Sequence, residues 1–92
     1  MQVTVEFLGS ASVAAGRKSI SIACPDHCRV RELIAALAQA MPHLVGRVIA
    51  ESRDELIHPN VLDVGGTRVL SNPDEILDLR QNSNFAIGQL PC

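Results

Sequence analysis

Cys24-Pro25-Asp26-His27-Cys28 is the string whose residue types could do chemistry at close quarters. Two thiols and an imidazole are soft-metal ligands, and a cysteine near the start of a helix can have its thiolate favoured. A structural zinc needs four ligands, however, and no second cysteine pair or nearby histidine pair completes the set. Cys24 also falls on the inward phase of an alternating run, where cysteine acts as a small apolar residue. The string therefore reads as structural, and we expect no metal and no cofactor.

Cys92 differs because it closes the sequence. A terminal thiol is accessible and could accept sulfur as a persulfide or join a mixed disulfide. The simpler reading is an incidental residue. Leu90, Pro91 and Cys92 together form the candidate functional tail. His43 and His58 each sit beside a proline, with no acid or nucleophile at triad-like spacing, and are expected to be solvated loop residues. Asp74, Glu75 and Asp78 read as the covering of a helical turn, or else as a docking point for a basic partner. No P-loop, dinucleotide fingerprint, zinc-protease or nucleophile-elbow pattern occurs, and we expect no enzyme activity.

The elements that must position these residues fit one domain, 1–92, with a modest core. A content of 47% hydrophobic and 20% charged residues argues against disorder. A formal charge of −2 gives no electrostatic reason to bind nucleic acid or an anionic membrane, and Phe7 and Phe85 are too few aromatics for a base-stacking platform. No apolar run approaches the roughly 20 residues that span a bilayer. Three cysteines and no recognisable signal peptide suggest free thiols in a reducing cytoplasm.

Val3, Val5 and Phe7 alternate with polar residues, which predicts a strand over Gln2–Leu8. Residues Gly9–Arg17 read as a small, flexible link. A second strand carries Ile20, Ile22 and Cys24 on one face and stops at Pro25. The clearest helix has Val30, Leu33, Ile34, Leu37, Ala38 and Met41 on one stripe, with Asp26 as its capping carboxylate and Pro42 ending it. Leu44–Ala50 fits either a helical turn or a short strand, and Ser52–Glu55 a polar turn. Val61–Val64 and Thr67–Leu70 read as strands around a Gly65-Gly66 hairpin turn. Ile76, Leu77 and Leu79 suggest a short helical turn after Asn72-Pro73-Asp74, and Asn84–Leu90 a last strand. One helix covering one sheet face gives an α+β two-layer sandwich.

Read together, these segments resemble the MoaD/ThiS family of ubiquitin-like sulfur carriers. MQVTVEFLGSASVAAGR looks like that family's first strand and loop. CRVRELIAALAQAMPHL is similar to its helix signature through Val30, Glu32, Leu33, Pro42 and Leu44. HPNVLDVGGTRV resembles its third strand and turn, with Gly65 where Asn is usual. The resemblance implies a ubiquitin-like β-grasp: a mixed sheet of four to five strands on one main helix, with the last strand parallel to the first.

It also implies a role in molybdopterin or thiamin-type sulfur transfer. Family carriers are adenylated at a C-terminal Gly-Gly by a partner enzyme and do no catalysis themselves. This sequence departs at that point, closing on Leu90-Pro91-Cys92. The expectation is a sulfur-carrier-like protein with a degenerate C-terminus. The alternative is a non-catalytic β-grasp interaction module that has lost the carrier chemistry. Either would meet an activating enzyme or sulfurtransferase-like subunit through the sheet face and the C-terminal segment.

Overall fold

Strict alternation makes Gln2–Phe7 the strand β1, with Val3, Val5 and Phe7 buried between exposed or half-exposed polar residues. The structure, a computed structural model, describes residues 2–58, 60–64, 68–70, 72–81 and 83–89. β1 pairs antiparallel with β2 (Ser19–Ala23) and parallel with β7 (Asn84–Gln89). β4 (Asn60–Val64) pairs antiparallel with both β7 and β5 (Arg68–Leu70). The order β2-β1-β7-β4-β5 is a mixed five-stranded sheet, and the parallel pair at its centre requires the long crossover that the rest of the chain supplies.

The expected helix is α2, Val30–Ala40. Its stripe of Val30, Leu33, Ile34, Leu37 and Ala38 is buried against the sheet, and Met41 just beyond it is buried too. The core is completed from the sheet by Phe85, Ile87 and Leu62, and from the connecting loop by Leu44, Val48 and Ile49. The expected ubiquitin-like β-grasp is the observed fold.

Four local expectations are corrected. The link after β1 contains a helix, α1 (Ser10–Ala15), that buries Ala11 and Ala15 one turn apart. Gly16, at φ 74°, ends it in the left-handed conformation glycine tolerates, its N–H donating to the Ser12 carbonyl. Six residues are too few to display a helical period, although alanine favours the conformation.

The supposed helical turn at Ile76 is a strand, β6 (Ile76–Asp78), paired antiparallel with a short strand β3 (His27–Arg29). Leu77 and Leu79 are buried at a spacing of two, the strand period.

Asp26 does not cap α2. The Glu32 carboxylate accepts the Arg29 N–H at 2.9 Å, and the Val30 and Arg31 amides donate to the Glu75 and Pro73 carbonyls at 3.0 Å each. Neighbouring backbone thus takes over what a capping side chain would do.

His43, expected to be solvated, is exposed yet tied down, its Nε2 donating to the Ala15 carbonyl at 3.1 Å.

Between α2 and β4, Pro42–Leu44 forms a 3₁₀ turn, and isolated bridges join Val45 to Ile49 and Ile49 to Leu56. The β4–β5 hairpin is present in its strands, with Val64 opposite Arg68. Its Gly65-Gly66 turn lies outside the described residues.

Candidate protein-docking site

The helix covers one face of the sheet, and the opposite side chains of each strand make the other face. The strand registers set Ser19, Glu6, Ala86, Asp63 and Val69 in one row crossing all five strands. Beyond this row Gly88 pairs with Val61, and Leu8 follows on from β1 at 51% exposure. Ala86 is a small residue at the centre of the row, and Leu8, which lies over Gly88, and Val69 supply exposed apolar surface on the same face. The Asp63 Oδ1 is buried without a hydrogen-bond partner in the structure.

β7 ends beside this face. Gln89 is paired with Asn60, and its amide Nε2 donates to the Ser10 hydroxyl at 3.1 Å. Gln89, the last residue of β7, is thus held between β4 and α1. Leu90, Pro91 and Cys92 follow it directly but lie outside the described residues, so the structure gives no account of the candidate tail itself.

Cys24 and Cys28 are brought together in the core as thiols outside any disulfide. The two thiols hydrogen-bond to each other. Burial is the main cause that pushes the Cys28 thiol up to about 11, and burial likewise raises Cys24. Burial outweighs the helix start beside Cys28, so both thiols stay protonated at neutral pH and pack as apolar filler. Among the described residues no group of three or more His, Cys, Asp or Glu is placed to hold a metal ion.

The acidic residues Asp74, Glu75 and Asp78 lie on the turn before β6 and on β6 itself, not on a helix. Each faces a basic side chain of the same chain. Asp74 pairs with Arg29 and Arg31, Glu75 with Arg68 at 2.6 Å, and Asp78 with His27 and Arg80. The Arg68 hydrogen bond holds the Glu75 carboxyl below its usual range. These internal partners occupy the charges that a basic docking surface would have needed.

No protein-family model matches the chain, and no curated protein matches it. Solved structures do. The chain is similar to SAMP1 from Haloferax volcanii, with a TM-score of 0.76 and 15% identity over 99% of this chain and 97% of that one. A structure of small archaeal modifier protein 1 from the same organism gives a TM-score of 0.71 and 16% identity over 94% and 93%. A putative molybdopterin converting factor, subunit 1, from Pyrococcus furiosus gives 0.62 and 22% identity over 96% and 93%. At these identities the likeness establishes the ubiquitin-like β-grasp fold along nearly the whole chain.

Proposed function

We propose that this chain is a sulfur-carrier-like β-grasp protein that works by docking to a protein partner and is not itself a catalyst. The partner is an activating enzyme or a sulfurtransferase-like subunit. It meets the outer sheet face and the Leu90-Pro91-Cys92 segment that leaves β7. The observation that carries this reading is the parallel β1–β7 pairing. It sets the end of β7 beside the uncovered row through Ala86 and Asp63, so one partner surface can touch both. Structural neighbours named as a modifier protein and a molybdopterin converting factor subunit support the same class. Core thiols outside any disulfide accord with a reducing, cytoplasmic setting, and no helix among the described residues is long and apolar enough to cross a membrane.

A second reading is a docking module without carrier chemistry, because the outer face is built by the strand registers alone, with no tail residue in it. ATP–pyrophosphate exchange with a panel of MoaD/ThiS-type activating enzymes separates the two. Carrier competence predicts exchange by the parent chain. A docking module predicts binding without exchange. Failure of every enzyme to bind the chain would end both readings.

A further inference from the structure

β2 is the outermost strand on its side of the sheet, so one row of its backbone groups faces no strand of this chain. The Phe7 N–H donates to the Lys18 carbonyl at 2.8 Å, and the same register sets Val5 opposite Ile20 and Val3 opposite Ile22. Antiparallel bonding alternates along a strand. Lys18, Ile20 and Ile22 therefore bond β1, and Ser19, Ser21 and Ala23 turn their N–H and C=O groups outward. The Arg17 side chain reports that direction independently, its Nε donating to the Ser19 carbonyl at 2.7 Å. The opposite edge, β5, has the short and charged form that resists further pairing, three residues beginning at Arg68. β2 has neither protection. Ser19–Ala23 is five residues long and holds no charge, no proline and no break in register.

The strand Ser-Ile-Ser-Ile-Ala is also nearly palindromic about Ser21. We propose that the β2 edge pairs antiparallel with β2 of a second copy of this chain, about a two-fold axis at Ser21. Ser21 then opposes its own counterpart and Ser19 opposes Ala23, in pairs that exchange both N–H···O bonds. Ile20, half-buried in the single chain, opposes Ile22 of the other copy on the helix side of the sheet. There it meets a shallow groove of about 300 Å³ between β2 and the small residues Ala36 and Ala40 of α2. The same axis brings Asp26 of one copy to the Arg17 end of the other. Neither residue has an ion-pair partner among the described residues, so the ends of the pairing are complementary in charge. The paired sheets leave Ala86 and the outer face open, so the inference stands apart from the docking and carrier readings.

Sedimentation equilibrium of the full chain from about 1 µM to 1 mM should show a reversible dimer, with a Kd on the order of 10–100 µM. Ser21→Lys sets like charges directly opposite each other at the axis and should weaken the dimer about tenfold or more, as should Ser21→Glu. An equimolar mixture of the two variants should regain the parental affinity. Over the same concentrations, NMR of the parent should shift the amides of Ser19, Ser21 and Ala23 and leave that of Ala86 in place. A parent chain that stays monomeric throughout would overturn the proposal. So would a Ser21→Lys chain that dimerises as the parent does, a mixture as weak as its components, or shifts centred away from β2. None of these results bears on activating-enzyme binding, which decides the carrier and docking readings.

Discussion

Leu8 lies across the backbone of Gly88: a Cβ built at position 88 would stand 2.9 Å from the Leu8 Cβ. Gly88 lies in β7 with ordinary strand dihedrals, so the obstacle to a larger residue is this one neighbour. The pair closes the outer face near the end of β7, with the Leu8 N–H donating to the Ile87 carbonyl at 2.9 Å. Gly88→Ala should therefore destabilise the fold by about 1–3 kcal/mol through overpacking. In a Leu8→Gly background the same change should cost close to nothing. Urea denaturation of the four chains in this cycle measures the difference, and equal costs in both backgrounds would contradict the contact.

The stripe of α2 predicts a steep contrast between its two faces. Leu37, 1% exposed, should cost about 2–5 kcal/mol when cut to alanine, a large fraction of the stability of so small a domain. Ala35→Ser on the exposed face should change stability by no more than about 0.5 kcal/mol. Thermal denaturation followed by circular dichroism reads both.

Burial of the Cys24–Cys28 pair has a signature in alkali. Cys28 is pushed up from 9.0 to about 11, so between those values the unfolded chain has released a proton that the native chain keeps. Stability should be fully present below pH 9 and fall as pH rises towards 11. In Cys28→Ala that alkaline slope should flatten, even though the variant starts from a lower stability. At pH 8 the two thiols of a Cys92→Ser chain should react with a disulfide reagent about 100-fold more slowly than in denaturant. Rapid native labelling would show that the pair is not held in the core.

Glu75 and Arg68 give the opposite limb. The Arg68 hydrogen bond lowers the Glu75 carboxyl from 4.5, so the native chain holds the carboxylate where the unfolded chain has begun to protonate. The pair's contribution is present above 4.5 and is lost as pH falls through the lowered value. Glu75→Gln should remove that part of the acid slope. The difference should shrink in high salt, because both side chains reach solvent. An unchanged acid limb would mean the ion pair is not formed in solution.

How much of this was legible in the sequence depended on element length. Eleven residues of α2 and six of β1 display a period, and Val3, Val5, Phe7 and the stripe from Val30 to Met41 fall on it without ambiguity. β3 and β6, at three residues each, show at most one inward position between two outward ones. Ile76 and Leu77 therefore fit a helical turn as well as a strand until Cys28 is seen opposite Leu77. α1 was hidden for the same reason, since alanine and serine carry no apolar period. The outer-face row was not legible at all: Glu6, Ala86 and Asp63 become neighbours only through the parallel and antiparallel registers.

The central claim is that the outer face through Ala86 docks a partner protein, and one substitution tests it most directly. Ala86→Arg places a long cation in the middle of the row, where side chains point away from the core, and should leave the melting temperature within a few degrees of the parent. Calorimetric titration against an activating enzyme that binds the parent should show affinity reduced about tenfold or more, a loss of about 1.4 kcal/mol. Ala35→Arg, on the exposed side of α2, should bind as the parent does. If Ala86→Arg remains folded and retains parental affinity, or if Ala35→Arg loses as much, the docking surface is not the outer sheet face.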